Sequence, residues 1–308
     1  MDLSVCVVSW NTRDLLDQCV RSIYETTEGV EFEVIVVDNA SSDGTAAMLH
    51  ARHPQVRLLA NTENAGFARA NNQAIEASTG RYVMLLNPDT LVHSGLQHAV
   101  SFLDRHPDAA VVGCKAKNAD GSVQVSWNRW YPSLFGELMG RRIERLSGRL
   151  SAERAADRVF PTGWVGGVCM TVRRSAFEQV GLLDEGYFMY TEEADWCRRF
   201  RNAGWLVMHS PGVVITHYGG QSADQVKASM RIELARSKIR FIAKFRSERE
   251  AALYRCFLSG TAAAREAAAG ILLAITRDRS RFEDPVRACR EFRKGISGAR
   301  AGSVNANG

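Results

Sequence analysis

Short apolar runs alternate with helix-spaced patterns through the first third of the chain, and this alternation constrains the fold more than any other feature. Leu3–Ser9 is a near-continuous apolar run, followed by Leu15, Leu16, Cys19, Val20 and Ile23 at helical spacing. Phe32–Val37 repeats the strand signal, after which Ser41, Ser42 and Asp43 offer an N-cap for a helix through Met48 to Arg52. Val56–Leu59 and Gly66–Ala77 make a third strand and helix, closed by Gly80, and Tyr82–Leu86 with Ser94–Arg105 a fourth. Parallel neighbours require crossovers, so four such units predict an α/β fold with a mostly parallel, doubly wound sheet flanked by helices.

In an open sheet of this kind ligands bind beyond the carboxyl ends of the strands. Three ends converge there: Ser9-Trp10-Asn11, Asp38-Asn39 and Asn87-Pro88-Asp89. Pro88 has no N–H to continue the ladder, so the fourth strand stops by Asn87 and leaves the Asp89 carboxylate at its tip. Neither GxGxxG nor GxxxxGK[ST] is present, which argues against a dinucleotide fingerprint and a Walker loop. Side chains must then do more of the holding. Asp38 is suited to accept from a ribose hydroxyl or a base N–H, or else turns its loop with Ser41 and Asp43; Trp10 either stacks on a base or packs the core.

Past Val111–Cys114 the alternation breaks. Asn118–Ser122 reads as a turn, and residues 136–158 as an Arg-rich insertion, helical or mobile. Gly163, Gly166 and Gly167 lead into a strand at Val168–Val172 and serve either close approach to a ligand or a bulge. A second acidic focus, Glu192, Glu193 and Asp195, opens a helix whose dipole such residues also complement. Trp205–His209 and Val213–Thr216 read as two strands broken at Pro211, the second ending at His217, which is a metal ligand or an ordinary hydrogen-bonded residue. From Gln225 the pattern is helical, over Met230–Phe245 and Ala251–Ile275, and the composition of Gly295–Gly308 is that of a mobile terminus. Arg255, Arg265 and Glu266 argue against the second of these helices as a membrane span, but not as an interfacial helix.

Composition narrows the partners. With 45% hydrophobic and 24% charged residues the 308-residue chain buries a full core. Its seven cysteines are scattered without CxxC spacing, against a disulfide framework or a zinc site and in keeping with a reducing cytoplasm. No basic leader opens the chain, so no signal peptide is expected. The net charge of +5 is uneven: residues 225–308 hold 18 Lys and Arg against 8 Asp and Glu, a balance of +10, which leaves −5 for the first 224. By its charge such a basic helical tail can serve nucleic acid or anionic lipid, or be no more than a solvated face; of these, nucleic acid is not expected as a partner.

The segments SVCVVSWNTRDLL, VVDNASSDGT, ENAGFARANN, LLNPDT, GWVGGVCMTVRRSAFEQVGLLDEGYFMYTEEADWCRR and HYGGQS, in this order across Leu3–Ser222, resemble the inverting glycosyltransferases of family 2 and, within them, the rhamnosyltransferase-like branch. The resemblance implies a GT-A fold over residues 1–224, with a nucleotide-binding half (1–115) and an acceptor and catalytic half (116–224), and a basic helical extension over 225–308. It implies that Asp38 holds the base or ribose beside Ser9, Trp10 and Asn11. Asp89, joined by His217, would bind a divalent cation, Mg²⁺ or Mn²⁺, on the donor diphosphate, and Glu193 would be the base. Asn64, Gly66, Asn72, Asn87, Trp164, Gly166, Gly167, Glu192, Asp195 and Trp196 complete the substrate-binding residues it implies. Two departures stand out: the metal motif is Asn-Pro-Asp where Asp-x-Asp is usual, and the paired acids are Glu-Glu where Asp often holds the second place.

The expected reaction is a single inverting displacement, with L-rhamnose moving from dTDP-L-rhamnose to a hydroxyl of a lipid-linked or growing cell-surface polysaccharide. The alternatives are a UDP-hexose or UDP-N-acetylhexosamine donor, or an inactive nucleotide-sugar-binding scaffold subunit. The expected location is the cytoplasm, with peripheral contact at the inner face of the plasma membrane through the basic helices, and a homodimer is compatible with it.

Overall fold

The computed structural model describes residues 1–137, 153–219, 227–276 and 279–297. These fall into two units: the first holds residues 1–131, 153–188 and 192–219, the second 132–137, 189–191 and the helices from Lys227 onward.

The first unit begins with the expected alternation: β1 (Leu3–Ser9), α1 (Arg13–Thr26), β2 (Phe32–Asp38), α2 (Thr45–Arg52), β3 (Arg57–Ala60), α3 (Phe67–Ala77) and β4 (Tyr82–Leu86). It continues with β5 (Thr90–Val92), α4 (Gln97–Arg105), β6 (Ala109–Lys117), β7 (Val123–Gln124), β8 (Trp127–Asn128), β9 (Phe160–Pro161), β10 (Trp164–Val165), β11 (Cys169–Arg173), α5 (Arg174–Val180), α6 (Glu192–Asn202) and β12 (Leu206–His217). The main sheet runs β3-β2-β1-β4-β11-β6-β12-β5, with β7 on β6 and β9 on β12; β8 and β10 pair separately. β3, β2, β1 and β4 are mutually parallel, as are β6 and β12, while β11 lies antiparallel between β4 and β6.

The central strands β1, β4, β6 and β11 are covered on both faces, which is why β1 reads as a continuous apolar run. Leu3, Val5 and Val7 pack with Leu16, Cys19, Val20 and Ile23 of α1 and with α4. Cys6 and Val8 face the other way, with Ala68, Ala70 and Ala74 of α3 and Trp196, Cys197 and Phe200 of α6.

Three local expectations are corrected. The cap of α2 falls at Gly44, with φ 85°, although Asp43 still accepts from Thr45 N and Thr45 Oγ1. A short strand, β5, stands between Asp89 and α4, so that helix starts at Gln97 instead of Ser94. Pro211 does not split β12. The chain bulges there: from His209 to Val214 the strand advances five positions against two on β6, which takes Pro211 out of the ladder. Ser94 Oγ serves the bulge by donating to Gly212 O and accepting from Val214 N.

The second unit contains α7 (Lys227–Phe245), α8 (Glu248–Thr276) and α9 (Arg279–Ser297). Ala235, Ile239, Ile242, Ala251, Tyr254 and Ile296 form its core. α9 falls within the helical extension expected over 225–308 but was not delimited as a helix of its own, and it carries Gly295 to Ser297 inside a helix; the rest of the terminus expected to be mobile, like most of the 136–158 insertion, lies outside the described residues. By length and composition alone α8 is long and apolar enough to cross a membrane, despite the charges that argued against it.

Candidate active site

The register of the parallel strands brings the expected ends together, since Ser9 pairs with Asp38 across β1 and β2, and Leu86, just before Asn87, pairs with Val7. Asn11 sits in the left-handed region at φ 52°; its N–H donates to Ser41 Oγ, and its Oδ1 accepts from Ser42 N. Asp38 is buried and one of its oxygens accepts from Ser41 N, so the turn reading holds for that oxygen. Ser9 is fully buried against Thr12 Oγ1, which makes it a brace for the loop instead of a ligand contact, and Trp10 is half-buried.

Asn39, named in the sequence only as part of the second strand end, organises the next loop. Its side chain donates to Asn64 Oδ1 at 2.8 Å and accepts from Asn61 Nδ2 and Ala65 N. Gly66 follows with φ 81°, where an added Cβ would lie 2.6 Å from Phe188 O. The adjacent Phe67 N–H donates to that same carbonyl, and the Phe67 ring lies 3.3 Å from where a Cβ on Gly167 would stand. Gly66 and Gly167 are thus needed for close packing around the α3 N-terminus. Gly166 N donates to Ser126 O, and Trp164 Nε1 donates to Trp130 O.

At the tip of β4, Asn87 N donates to Val168 O, and Asn87 O accepts from Thr90 Oγ1. Beneath it, burial pushes the Cys19 thiol up to about 12, and this neutral S–H lies 3.6 Å from Asn87 O. His217, at the end of β12, is the Cα partner of Thr90 on β5 and so stands beside Asp89. Its Nδ1–H donates to Gln124 Oε1 at 2.8 Å. Its Nε2 lies 3.3 Å from Asn87 Nδ2 and 3.2 Å from Asp89 Oδ1.

This arrangement fits a divalent cation in its donor chemistry. With Nδ1 committed to Gln124, Nε2 is the ring nitrogen left to face Asp89 Oδ1, and the two are suited to hold a cation together. Asn87 Oδ1 becomes a third oxygen donor if the amide turns over. Among the described residues no group of three or more His, Cys, Asp or Glu side chains converges, so any cation here keeps most of its ligands from solvent or substrate. Gln124 was missed because a glutamine in a two-residue strand carries no motif.

α6 supplies the second focus. Tyr190 and Thr191 enter it with φ of 70° and 72°, a strained path for a β-branched residue. Glu192 is 3% exposed, and burial first, then the charge of Glu193, hold its carboxyl well above the usual range. The adjacent Glu193 carboxyl interacts with it directly, which favours the protonated form of Glu192. Glu193 is half-buried.

Three expected binding residues are structural. Asn72 is buried and clamps the 183–185 loop, donating to Leu183 O and Glu185 Oε1 and accepting from Leu183 N. Asp195 accepts from Arg199 Nε at 2.8 Å and from Tyr187 OH, and Arg199 in turn donates to the carbonyls of Val180, Gly181 and Leu182. Trp196 is fully buried between Phe177 and Phe200 and donates to Gly181 O. Helical spacing put Asp195 and Trp196 next to the acid pair, but α6 turns them towards the core.

The family model for glycosyl transferase family 2 matches residues 4–181. The chain belongs to glycosyl transferase family 2. This family 2 transferase is 32% identical over 247 residues to the N-acetylglucosaminyl-diphospho-decaprenol L-rhamnosyltransferase of Mycobacterium tuberculosis, covering 74% of this chain and 79% of that one. It is 27% identical over 162 residues to rhamnosyltransferase WbbL of Escherichia coli K12, covering 50% and 61%. Among solved structures, the mannosyltransferase PcManGT of Pyrobaculum calidifontis, in complex with GDP-Man and Mn²⁺, aligns with a TM-score of 0.55 at 20% identity, over 96% of this chain and 85% of that one. S. aureus TarS in complex with UDP-GlcNAc aligns with a TM-score of 0.53 at 18% identity, over 83% and 70%. The transferase has the GT-A fold of these neighbours.

Proposed function

We propose that this family 2 glycosyltransferase moves L-rhamnose from dTDP-L-rhamnose to a hydroxyl of a lipid-linked or growing cell-surface polysaccharide acceptor, with inversion and with Glu193 as base. The observation that carries the donor reading is the 32% identity, over 74% of the chain, to an L-rhamnosyltransferase acting on a diphosphoprenol-linked sugar. The acid pair of α6 supports the chemistry. With burial and the neighbouring charge holding Glu192 towards its protonated form, Glu193 is assigned as the carboxylate that takes a proton from the acceptor hydroxyl as it attacks C1, a role that typically contributes about 10² to 10⁴ fold. Glu192 then donates a hydrogen bond that steadies the charge on Glu193. Asp38 and the loop built on Asn11 and Ser41 would hold the nucleoside, with Trp10 beside them. Asp89 and His217 would hold the divalent cation, which when bound stabilises negative charge on the leaving diphosphate.

The test is release of nucleoside diphosphate from a panel of nucleotide sugars, with Mg²⁺ or Mn²⁺ and a diphosphoprenol-linked acceptor. dTDP-L-rhamnose should be turned over at least about tenfold faster than UDP-hexoses or UDP-N-acetylhexosamines, a margin of about 1.4 kcal/mol. A UDP-sugar preference would overturn the donor reading, and donor binding without turnover would leave a scaffold.

A further inference from the structure

One face of α8 holds the helical unit together. Ala251, Tyr254 and Ala262 are buried on it, Leu258 packs against the same core, and Glu266 binds Arg290 and Arg293 of α9. The opposite face has no such partner among the described residues. Leu253, Phe257, Ala264, Ile271 and Ile275 recur at helical spacing along it and are all exposed, Leu253 by 60%, Ile271 by 61% and Ile275 by 73%. No charged residue interrupts this stripe, which extends over about 33 Å at 1.5 Å per residue. Large aliphatic groups aligned in this way mark an interaction surface.

We infer that this stripe seats on an anionic lipid surface, with α8 lying in the plane of the interface. The charge of the extension selects the occupant. Residues 225–308 carry a balance of +10, so a second copy laid on the same face would bring a like charge of the same size, whereas an anionic bilayer neutralises it. The ion pairs from Glu266 to α9 tie down the face away from the stripe, which suits a helix lying on a membrane better than one crossing it. This inference does not depend on the donor sugar.

The experiment is flotation of the full chain with vesicles of phosphatidylcholine alone and of phosphatidylcholine with 30% phosphatidylglycerol, at low and high salt, beside an Ile271→Glu/Ile275→Glu variant. The wild type should float with the anionic vesicles at low salt and be released by high salt. The double variant should partition about a hundredfold less, because two buried aliphatic side chains are lost from the interface. Both substituted positions are exposed, so circular dichroism and turnover of a soluble acceptor analogue should match the wild type. Equal flotation of the two proteins, or no flotation of the wild type, would overturn the inference. So would sedimentation showing a wild-type dimer that the double variant abolishes, since the stripe would then be covered by a second copy.

Discussion

Replacing the two α6 carboxyls one at a time by their amides separates their roles. Glu192 is 3% exposed, and burial and then the charge of Glu193 hold its carboxyl well above the usual range. A glutamine at 192 keeps an N–H donor where the protonated acid has its O–H, so Glu192→Gln should retain turnover within about tenfold. Glu193→Gln removes the proposed base and should lose about 10² to 10⁴ fold in kcat. Stability gives an independent readout. A carboxyl whose pKa is raised in the folded chain binds a proton that the unfolded chain releases, so from the ordinary glutamate value of 4.5 upward stability falls as pH rises, until the folded-state pKa is passed. The slope is at most about 1.4 kcal/mol per pH unit for one proton. Urea midpoints of wild type and Glu192→Gln between about pH 5 and 8 should therefore diverge, with the variant flatter by up to that amount and relatively more stable at the alkaline end. Parallel pH profiles, or equal losses of kcat in the two variants, would refute the division of labour.

Gln124→Met removes the acceptor that commits His217 Nδ1 and should weaken Mn²⁺ binding in the presence of a nucleoside diphosphate about 10- to 100-fold by calorimetry, with unchanged circular dichroism. An unchanged affinity would show that the imidazole needs no such orientation. Gly66→Ala puts a Cβ 2.6 Å from Phe188 O at φ 81° and should cost about 1–3 kcal/mol more in urea unfolding than Gly44→Ala, where φ is 85° but nothing lies within 4 Å. Equal costs would mean that the Phe188 loop gives way and that alanine is no more strained at Gly66, with ψ 172°, than at Gly44, with ψ 18°.

Most of the framework was legible because its strands are buried on both faces and their apolar runs have no helical alternative of the same length. Elements shorter than about four residues were not: β5, β8 and β10 pair through backbone groups supplied by distant strands, and nothing in three residues announces that. Pro211 misled because a proline normally ends a ladder, and the bulge that tolerates it depends on Ser94, far away in the chain. At the candidate site, the residues expected at strand tips do stand together. Those whose direction depends on helix rotation were misassigned: Asp195 and Trp196 lie within one turn of Glu193 yet serve the core. Asn39 and Gln124 were given no role because both act on other side chains: Asn39 was read only as part of a strand end and a quoted segment, and Gln124 belongs to no motif.

The bulge in β12 also separates two tasks that one strand would otherwise have to perform in step. Before it, Val207 to His209 are registered against β6 in the core; after it, Val214 to Thr216 regain that partner, and Ile215 to His217 are registered against β5 at the site. The intervening residues act as slack. Length changes that accumulate upstream can be taken up there, while a one-residue shift between Val214 and His217 would turn the imidazole to the opposite face of the sheet, away from Asp89. The spacing from Val214 to His217 is therefore under tighter constraint than the identity of the residues that fill it.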